Sequence, residues 1–146
     1  MNTQTSRIYL LFLLVFTACR TEDKELVSTE KSPLFNLLSP SLTGIDFENT
    51  LTETEKNNII TYEYIYNGGG VAIGDVNNDG FPDIYLSGNQ VKNKLFLNKG
   101  SLKFEDITTK IQLEEKEGWK TGAAMADING DGLIDIYLCY SGNAPQ

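Results

Sequence analysis

Two short acidic loops carry the residues with the clearest potential for chemistry. The first lies in GDVNNDGFPDIYL and the second in ADINGDGLIDIYL. Counted from its first aspartate, each loop has an oxygen-bearing side chain at positions 1, 3, 5 and 9, which are Asp75, Asn77, Asp79 and Asp83 in the first loop and Asp127, Asn129, Asp131 and Asp135 in the second. Hard cations such as calcium take about six to eight oxygen ligands, and short Asp and Asn side chains in a tight loop supply them. The spacing therefore predicts one cation site per loop.

The rest of each loop fits the same chemistry. A glycine at position 6, Gly80 or Gly132, permits a sharp turn that lets the carbonyl at position 7 face the ion. Those carbonyls belong to Phe81 and Leu133. An EF-hand would close with a glutamate at position 12, whereas that position is leucine in both loops. The loops instead close early, at position 9, and run into a strand-like DIYL.

An Asp- and Asn-rich turn without a metal is the alternative, because these residues favour turns by bonding their own backbone. Three carboxylates within nine residues repel one another, and a simple turn does not need the last aspartate. We therefore favour metal binding. Calcium is the expected ion, since magnesium keeps its waters and demands a stricter octahedral geometry.

The loops belong to a longer repeat. Asp127 stands 52 residues after Asp75, and the same offset aligns the flanking residues without a gap. Four short strands are predicted per unit, in GVAIGDV, DIYLSG, NKLFLN and KFEDIT, and the series begins again at Trp119. Four strands in about fifty residues is the content of one propeller blade. We predict an all-β fold with one complete four-stranded antiparallel blade and the start of a second.

The strands are expected to be held together by one apolar face. Its predicted members are Val71, Ile73, Ile84, Leu86, Leu95, Leu97, Ala124, Ile136 and Leu138. Upstream, Tyr62, Tyr64 and Tyr66 alternate with other residues as in a strand, either as the packed face of a sheet or as a sugar-stacking platform. Trp119 is expected to pack between blades rather than to stack on a ligand. Cys139 lies in an apolar strand pattern and is expected to behave as a small buried hydrophobe.

Composition excludes several classes of function. The 146 residues include 12 Lys and Arg against 20 Asp and Glu, for a formal charge of −8, and no histidine. Nucleic acid is an improbable partner because its phosphates need clustered cations. The lack of histidine removes His-based nucleophile pairs and His-ligated zinc sites.

The amino terminus has the features of a targeting segment. Arg7 precedes an apolar run over residues 8–16, which is too short for a bilayer span, and small residues lead to Cys19. FTAC resembles the lipobox of bacterial lipoproteins, which implies cleavage before Cys19 and acylation of its thiol. We predict a lipoprotein signal peptide over 1–18, a polar tether over 19–41 and a repeat region over 42–146, with repeats at about 68–117 and 118–146.

The repeat region resembles FG-GAP or VCBS repeats of integrin-α-like β-propellers, particularly secreted bacterial proteins related to cartilage acidic protein that end in an ASPIC/UnbV domain. GVAIGDVNNDGFPDIYLSGN and GWKTGAAMADINGDGLIDIYL carry the resemblance. It implies propeller blades with a calcium loop between the first two strands of each. Such propellers have seven or so blades, so we expect this sequence to be an amino-terminal fragment, with assembly with other chains as the alternative.

These observations together predict a calcium-binding propeller segment of a surface lipoprotein. The expected role is binding, adhesion or scaffolding, with a lipid anchor at Cys19 and an extracellular glycan or protein as ligand. The expected location is the outer membrane, facing the cell surface. Part of a glycan-acting extracellular enzyme, or a truncated product without a ligand, are the alternatives.

Overall fold

The structure, a computed structural model, describes residues 33–113 and 118–141. The chain divides into two compact units, Met1–Asn36 and Leu37–Gln146. The predicted signal peptide, Cys19 and the greater part of the tether lie outside the described residues. Within the described ranges, no helix has the length and hydrophobicity needed to cross a membrane.

In the described residues of the second unit, the regular secondary structure is mostly short antiparallel strands joined by turns. A single helical turn, α1, covers Pro40–Thr43. A four-stranded sheet follows, with β1 at Val71–Gly74, β2 at Asp83–Leu86, β3 at Lys94–Asn98 and β4 at Phe104–Asp106. A two-stranded sheet then pairs β5, Lys120–Ala126, with β6, Asp135–Tyr140. The predicted all-β fold, with one four-stranded sheet and the opening of a second, is confirmed.

The 52-residue repeat is preserved in the strand register. In the first sheet Val71 pairs with Leu86, and Ala72 pairs with Tyr85. In the second sheet Ala123 pairs with Leu138, and Ala124 pairs with Tyr137. Because a shift of one residue would turn every side chain to the other face, this agreement means that corresponding faces of the two sheets carry corresponding residues.

The main core lies between the two sheets. Its buried members are Ala72, Tyr85, Leu95 and Ile107, and the partly buried side chains packed on them include Ala123, Met125, Ile136 and Leu138. Gly70 makes the close approach possible, since a Cβ there would lie 2.1 Å from the backbone nitrogen of Ala123. The backbones of the two repeats therefore approach closely where β1 meets β5.

The predicted core is right for Leu95, Leu97, Ile136 and Leu138 and wrong for β1, β2 and Ala124. Val71 and Ile73 are 62% and 64% exposed, Ala124 is also exposed, and Ile84 and Leu86 are half-buried. Leu95 is buried, whereas Leu97, Ile136 and Leu138 pack against the core. The error arose because β1 and β2 bury the face that carries Ala72 and Tyr85, and not the face that carries Val71 and Ile73, against β5 and β6.

The predicted tyrosine strand is also wrong. Residues 57–66 form a series of turns, organised by Asn58, whose side-chain oxygen accepts hydrogen bonds from the amides of Ile60 and Thr61. Local bonds of this kind compete directly with strand pairing. Tyr62 is buried, whereas Tyr64 and Tyr66 are exposed, so the three rings form neither a packed row nor one platform.

A second, smaller core joins these turns to the start of β5. Trp119 is buried and meets Tyr62 edge to face, with ring centroids 5.4 Å apart, and Ile65 and Leu51 complete the cluster. Trp119 is therefore a packing residue, as expected, but its partners come from the amino-terminal segment rather than from a neighbouring blade. Cys139, expected to be buried, is exposed on β6.

Candidate metal centre

Both acidic loops occupy the same place in their sheets. Residues 75–82 connect β1 to β2, and residues 127–134 connect β5 to β6. The leucine at position 12 lies inside a strand in each case, which agrees with the exclusion of an EF-hand. The loops are exposed turns whose geometry is set by their own residues.

Left-handed backbone conformations bend each loop at positions 4 and 6. Position 6 is glycine in both, with φ of 87° at Gly80 and 85° at Gly132. Position 4 is Asn78 in the first loop and Gly130 in the second, with φ of 57° and 78°. Glycine and asparagine tolerate this region best. The sequence did not lead us to predict a left-handed residue at position 4, although Asn and Gly at the two equivalent positions were a signal for it.

In the first loop, the side chains at positions 1, 3 and 5 turn inward onto backbone amides. The carboxylate of Asp75 accepts hydrogen bonds from the amides of Asp79 and Gly80, at 3.1 and 2.8 Å. The Asn77 side-chain oxygen also accepts from the Asp79 amide, and Asp79 accepts from the Phe81 amide at 2.9 Å. Asn77 Nδ2 donates to Asp79 Oδ2 at 2.9 Å. Three of the predicted ligands are thereby brought together.

The second loop repeats this pattern almost bond for bond. Asp127 accepts from the amides of Gly130, Asp131 and Gly132, at 2.7, 3.2 and 2.9 Å. Asn129 Oδ1 accepts from the Asp131 amide, and Asn129 Nδ2 donates to Asp131 Oδ2 at 3.0 Å. Asp131 accepts from the Leu133 amide at 2.8 Å. The same sequence pattern thus gives the same local geometry twice.

The aspartate at position 9 is placed differently from the other three. Asp83 is fully buried and accepts from the amide of Val76 at 2.9 Å and from the amide of Asn98, on β3, at 2.8 Å. Asp135 is half-buried and accepts from the Ile128 amide at 3.1 Å. Asp83 therefore fastens its loop to the third strand, and the amide of Asn98 is a site contact that the sequence analysis missed.

The donor set fits a hard cation in chemical type. Every predicted ligand atom is oxygen, from carboxylate, amide or main-chain carbonyl. A carboxylate has about four lone-pair sites, so Asp75, which accepts two amide hydrogens, keeps acceptor capacity for an ion. Across residues 33–113 and 118–141, no three Asp, Glu, His or Cys side chains are grouped closely enough to hold a metal by themselves. Asn side chains and main-chain carbonyls would have to contribute.

The ion pairs of the described residues involve β3, β4 and the residues beside them rather than the loops. Lys94 Nζ lies 3.2 Å from Asp106 Oδ2. Burial raises the pKa of Asp106, but hydrogen bonds from Thr108 and the Lys94 ammonium outweigh it, so the pKa lies below its usual value. Hydrogen bonds from Lys110 and Lys99 lower the pKa of the Glu105 carboxyl. These ion pairs stabilise the edge of the first sheet.

Comparison with known proteins identifies the class of the repeat. The family model described as FG-GAP-like repeat matches residues 75–138, from the first acidic loop to the end of the second unit's DIYL. The resemblance deduced from the two loops is confirmed over these residues, which match the FG-GAP-like repeat model.

The chain is also similar to cartilage acidic protein 1. It is 38% identical over 72 residues to the protein from Xenopus tropicalis and 33% identical over 72 residues to that from Homo sapiens, in each case over 49% of this chain. The protein from Mus musculus is 32% identical over 69 residues, or 47% of this chain. The matched part spans 11% of the length of each relative. No solved structure matches the chain at a significant level.

Proposed function

We propose that each acidic loop binds one calcium ion and that binding stabilises the repeat without catalysing a reaction. The ligands would come from positions 1, 3, 5, 7 and 9, namely Asp75, Asn77, Asp79, the carbonyl of Phe81 and Asp83 in the first loop, and Asp127, Asn129, Asp131, the carbonyl of Leu133 and Asp135 in the second. The observation that carries this proposal is the inward turn of the same three side chains in both loops. The repeat thus presents the same oxygen constellation in both units.

The energetic reason for binding is charge crowding. Asp75, Asp79 and Asp83 place three carboxylates within one turn, and like charges at such distances repel. Calcium would supply positive charge and several oxygen–metal bonds at this point. With a Kd of about 10⁻⁴ M and millimolar calcium, mass action stabilises the folded state by roughly 1.4 kcal/mol per site.

Titration calorimetry on the full chain tests this proposal. The unmodified chain is expected to bind two calcium ions, and D79A and D131A are expected to bind one each. Asp46→Ala is a matched control, since Asp46 is an exposed aspartate outside both loops. Absence of calcium heat at millimolar concentrations would overturn the proposal, as would unchanged stoichiometry in both variants.

We further propose that the protein is a surface lipoprotein anchored through an acylated Cys19, with residues 19–41 as its tether. The support is the short apolar run ending in FTAC. Several acyl chains on one cysteine bind a membrane stably, since each buried methylene contributes about 0.8 kcal/mol. Radiolabelled palmitate should enter the wild-type chain in a bacterial host and should not enter C19S. Equal labelling of both would contradict the anchor.

The biological role that these features support is binding, adhesion or scaffolding at the outer membrane, with an extracellular glycan or protein as ligand. A glycan-acting enzyme would need a free pair of carboxylic acids about 5 to 9 Å apart. The six acidic side chains of the two loops already accept backbone hydrogen bonds. The purified chain should therefore release no products from extracellular polysaccharides, and reproducible hydrolysis would contradict the non-enzymatic role.

A further inference from the structure

The sequence contains two asparagines that are followed directly by glycine, Asn67 and Asn129. In an Asn-Gly pair, the main-chain nitrogen of the glycine can attack the side-chain carbonyl of the asparagine, because glycine has no side chain to shield that nitrogen. Asn129 is position 3 of the second acidic loop. At the equivalent position of the first loop, Asn77 is followed by Asn78, so the two loops differ at a residue that controls this reaction.

The second Asn-Gly pair is open to the attack. Asn129 and Gly130 are both exposed, and a Cβ added at Gly130 would meet nothing within 4 Å. The side-chain oxygen of Asn129 accepts a hydrogen bond from the amide of Asp131 at 2.9 Å. This bond polarises the carbonyl and stabilises the negative charge that develops on its oxygen during the attack. The loop therefore supplies activation as well as access.

The nitrogen that would attack is held only by local structure of the loop. The Gly130 amide donates to the carboxylate of Asp127 at 2.7 Å, three residues earlier in the chain. Exposed loops open locally at low free-energy cost compared with the core of a fold. Local opening of this loop therefore frees the nitrogen for reaction without unfolding the sheet.

The first Asn-Gly pair is held by its surroundings. The carbonyl of Gly68 accepts a hydrogen bond at 3.0 Å from the side chain of Asn89, which is buried. At the next residue, Gly69, an added Cβ would lie 1.8 Å from the carbonyl oxygen of Ser87. Ring closure requires rotation of the backbone at the pair, and this packed segment resists that rotation. Asn67 is therefore protected although its side chain is exposed.

We propose that Asn129 is a site of spontaneous deamidation through a succinimide formed with Gly130. The Gly130 amide loses its proton to solvent, its nitrogen forms a bond to Asn129 Cγ, and the Cγ–Nδ2 bond breaks with release of ammonia. Water then opens the ring at one of its two carbonyls and leaves either aspartate or isoaspartate at residue 129. The reaction requires no oxidant and no enzyme, and water is the co-reactant.

This modification would make the two acidic loops unequal. Asn129 Nδ2 donates to Asp131 Oδ2 at 3.0 Å. The aspartate product replaces that donor with a carboxylate oxygen, so two like charges would face each other. The isoaspartate product adds a methylene group to the main chain beside the bend at position 4. Neither reaction step involves calcium, so the proposal stands or falls separately from calcium binding.

Ageing of the full chain in chelator, at neutral pH and physiological temperature, tests the proposal. Peptide mass spectrometry locates each asparagine that has become a carboxylate. An isoaspartyl methyltransferase assay detects isoaspartate, which direct hydrolysis of the side chain does not produce. In the folded chain, Asn129 is expected to convert at least about tenfold faster than Asn67. In urea the two rates should become similar, because the restraint on Gly68 and Gly69 is lost.

Exchange of the residue after asparagine gives two matched variants. G130N gives the second loop the residue that the first loop has at position 4, and it should slow conversion of Asn129 at least about tenfold. N78G makes the reciprocal change and should produce isoaspartate at Asn77. Asn78 and Gly130 both have left-handed backbone conformations, so each loop can accept the other's residue. Thermal unfolding verifies that both variants fold.

Three results would overturn the proposal. The first is an aged wild-type chain without isoaspartate at residue 129. The second is conversion of Asn129 at the same rate in G130N and in the wild type. The third is a folded chain in which Asn67 converts faster than Asn129.

Discussion

The two acidic loops have the same internal hydrogen bonds, but only the first is anchored to a third strand. In the first repeat, Asp83 is fully buried and bonds the amide of Asn98 on β3. In the second repeat, Asp135 occupies the equivalent position, is half-buried, and bonds within its own loop. The loop conformation is therefore local, whereas its attachment to the sheet depends on neighbouring strands.

This difference distinguishes the residues that shape the loop from the residue that attaches the loop to the sheet. Positions 1, 3, 4, 5 and 6 determine how the loop bends, and they act alike in both repeats. Position 9 determines how strongly the loop is coupled to the folded sheet, and it differs between repeats. Substitutions at positions 1, 3 and 5 should therefore have equal effects in the two repeats, whereas substitutions at position 9 should have unequal effects on stability.

The largest difference is expected between G70A and G122A. A Cβ at Gly70 would lie 2.1 Å from the Ala123 nitrogen, so the alanine must force β1 and β5 apart. We expect a loss of about 3 kcal/mol in the free energy of unfolding, measured in urea. At Gly122 the nearest contact is an ordinary 3.7 Å, so G122A should be neutral or stabilising by up to about 1 kcal/mol. Similar losses in both variants would contradict the packing described here.

The next largest difference is expected between D83A and D135A. Removal of the Asp83 carboxylate leaves the amides of Val76 and Asn98 without their acceptor, and D83A should cost about 3 kcal/mol. D135A removes one bond at a half-buried site and should cost about 1 kcal/mol. Urea unfolding in chelator isolates this effect from ion binding. Equal costs would show that the third strand does not anchor the first loop.

A smaller and equal effect is expected from D79A and D131A. Both remove a position-5 ligand on an exposed loop, so each should lose about 1.4 kcal/mol of calcium-dependent stability. In chelator each variant should unfold with nearly wild-type stability. Melting temperatures recorded in millimolar calcium and in chelator test this expectation, and a loss that is the same in both media would assign these aspartates to turn formation alone.

The smallest effect concerns the fourth strand. The pKa of Asp106 is lowered by Thr108 and Lys94, so its charged form stabilises the folded state above the unfolded pKa of about 3.9. That contribution is lost as the pH falls through the lower, folded pKa. Below about pH 4, the free energy of unfolding of D106N should therefore depend slightly less on pH than that of the wild type. The measurement is urea unfolding at a series of acid pH values. If D106N and the wild type show the same pH dependence, the Lys94–Asp106 pair does not contribute to stability.

The strands and loops were predictable because their signals are local. Strict alternation, glycine at position 6 and the 52-residue repeat located β1 to β6 and placed both loops between paired strands. Leucine at position 12 also distinguished these loops from EF-hands, and Leu86 and Leu138 do lie in strands.

The features that escaped prediction depend on what packs against each residue. Alternation identifies two faces of a strand but does not say which face a neighbouring sheet covers, so Val71 and Ile73 were assigned to the core in place of Ala72 and Tyr85. The tyrosine segment alternates as a strand does, yet Asn58 supplies local hydrogen bonds that favour turns. The contact between Asp83 and Asn98 joins residues on different strands, and no local pattern marks it.

Calcium titration followed by amide NMR tests the central claim most directly, because it observes the two loops separately. The amides of Gly80 and Gly132 bond the carboxylates of Asp75 and Asp127, so each reports on its own site. We predict that both amide resonances shift saturably at millimolar calcium, with similar midpoints, and do not shift with magnesium at the same concentration. Unchanged resonances at both glycines, or a shift at only one, would contradict the account of two equivalent calcium loops.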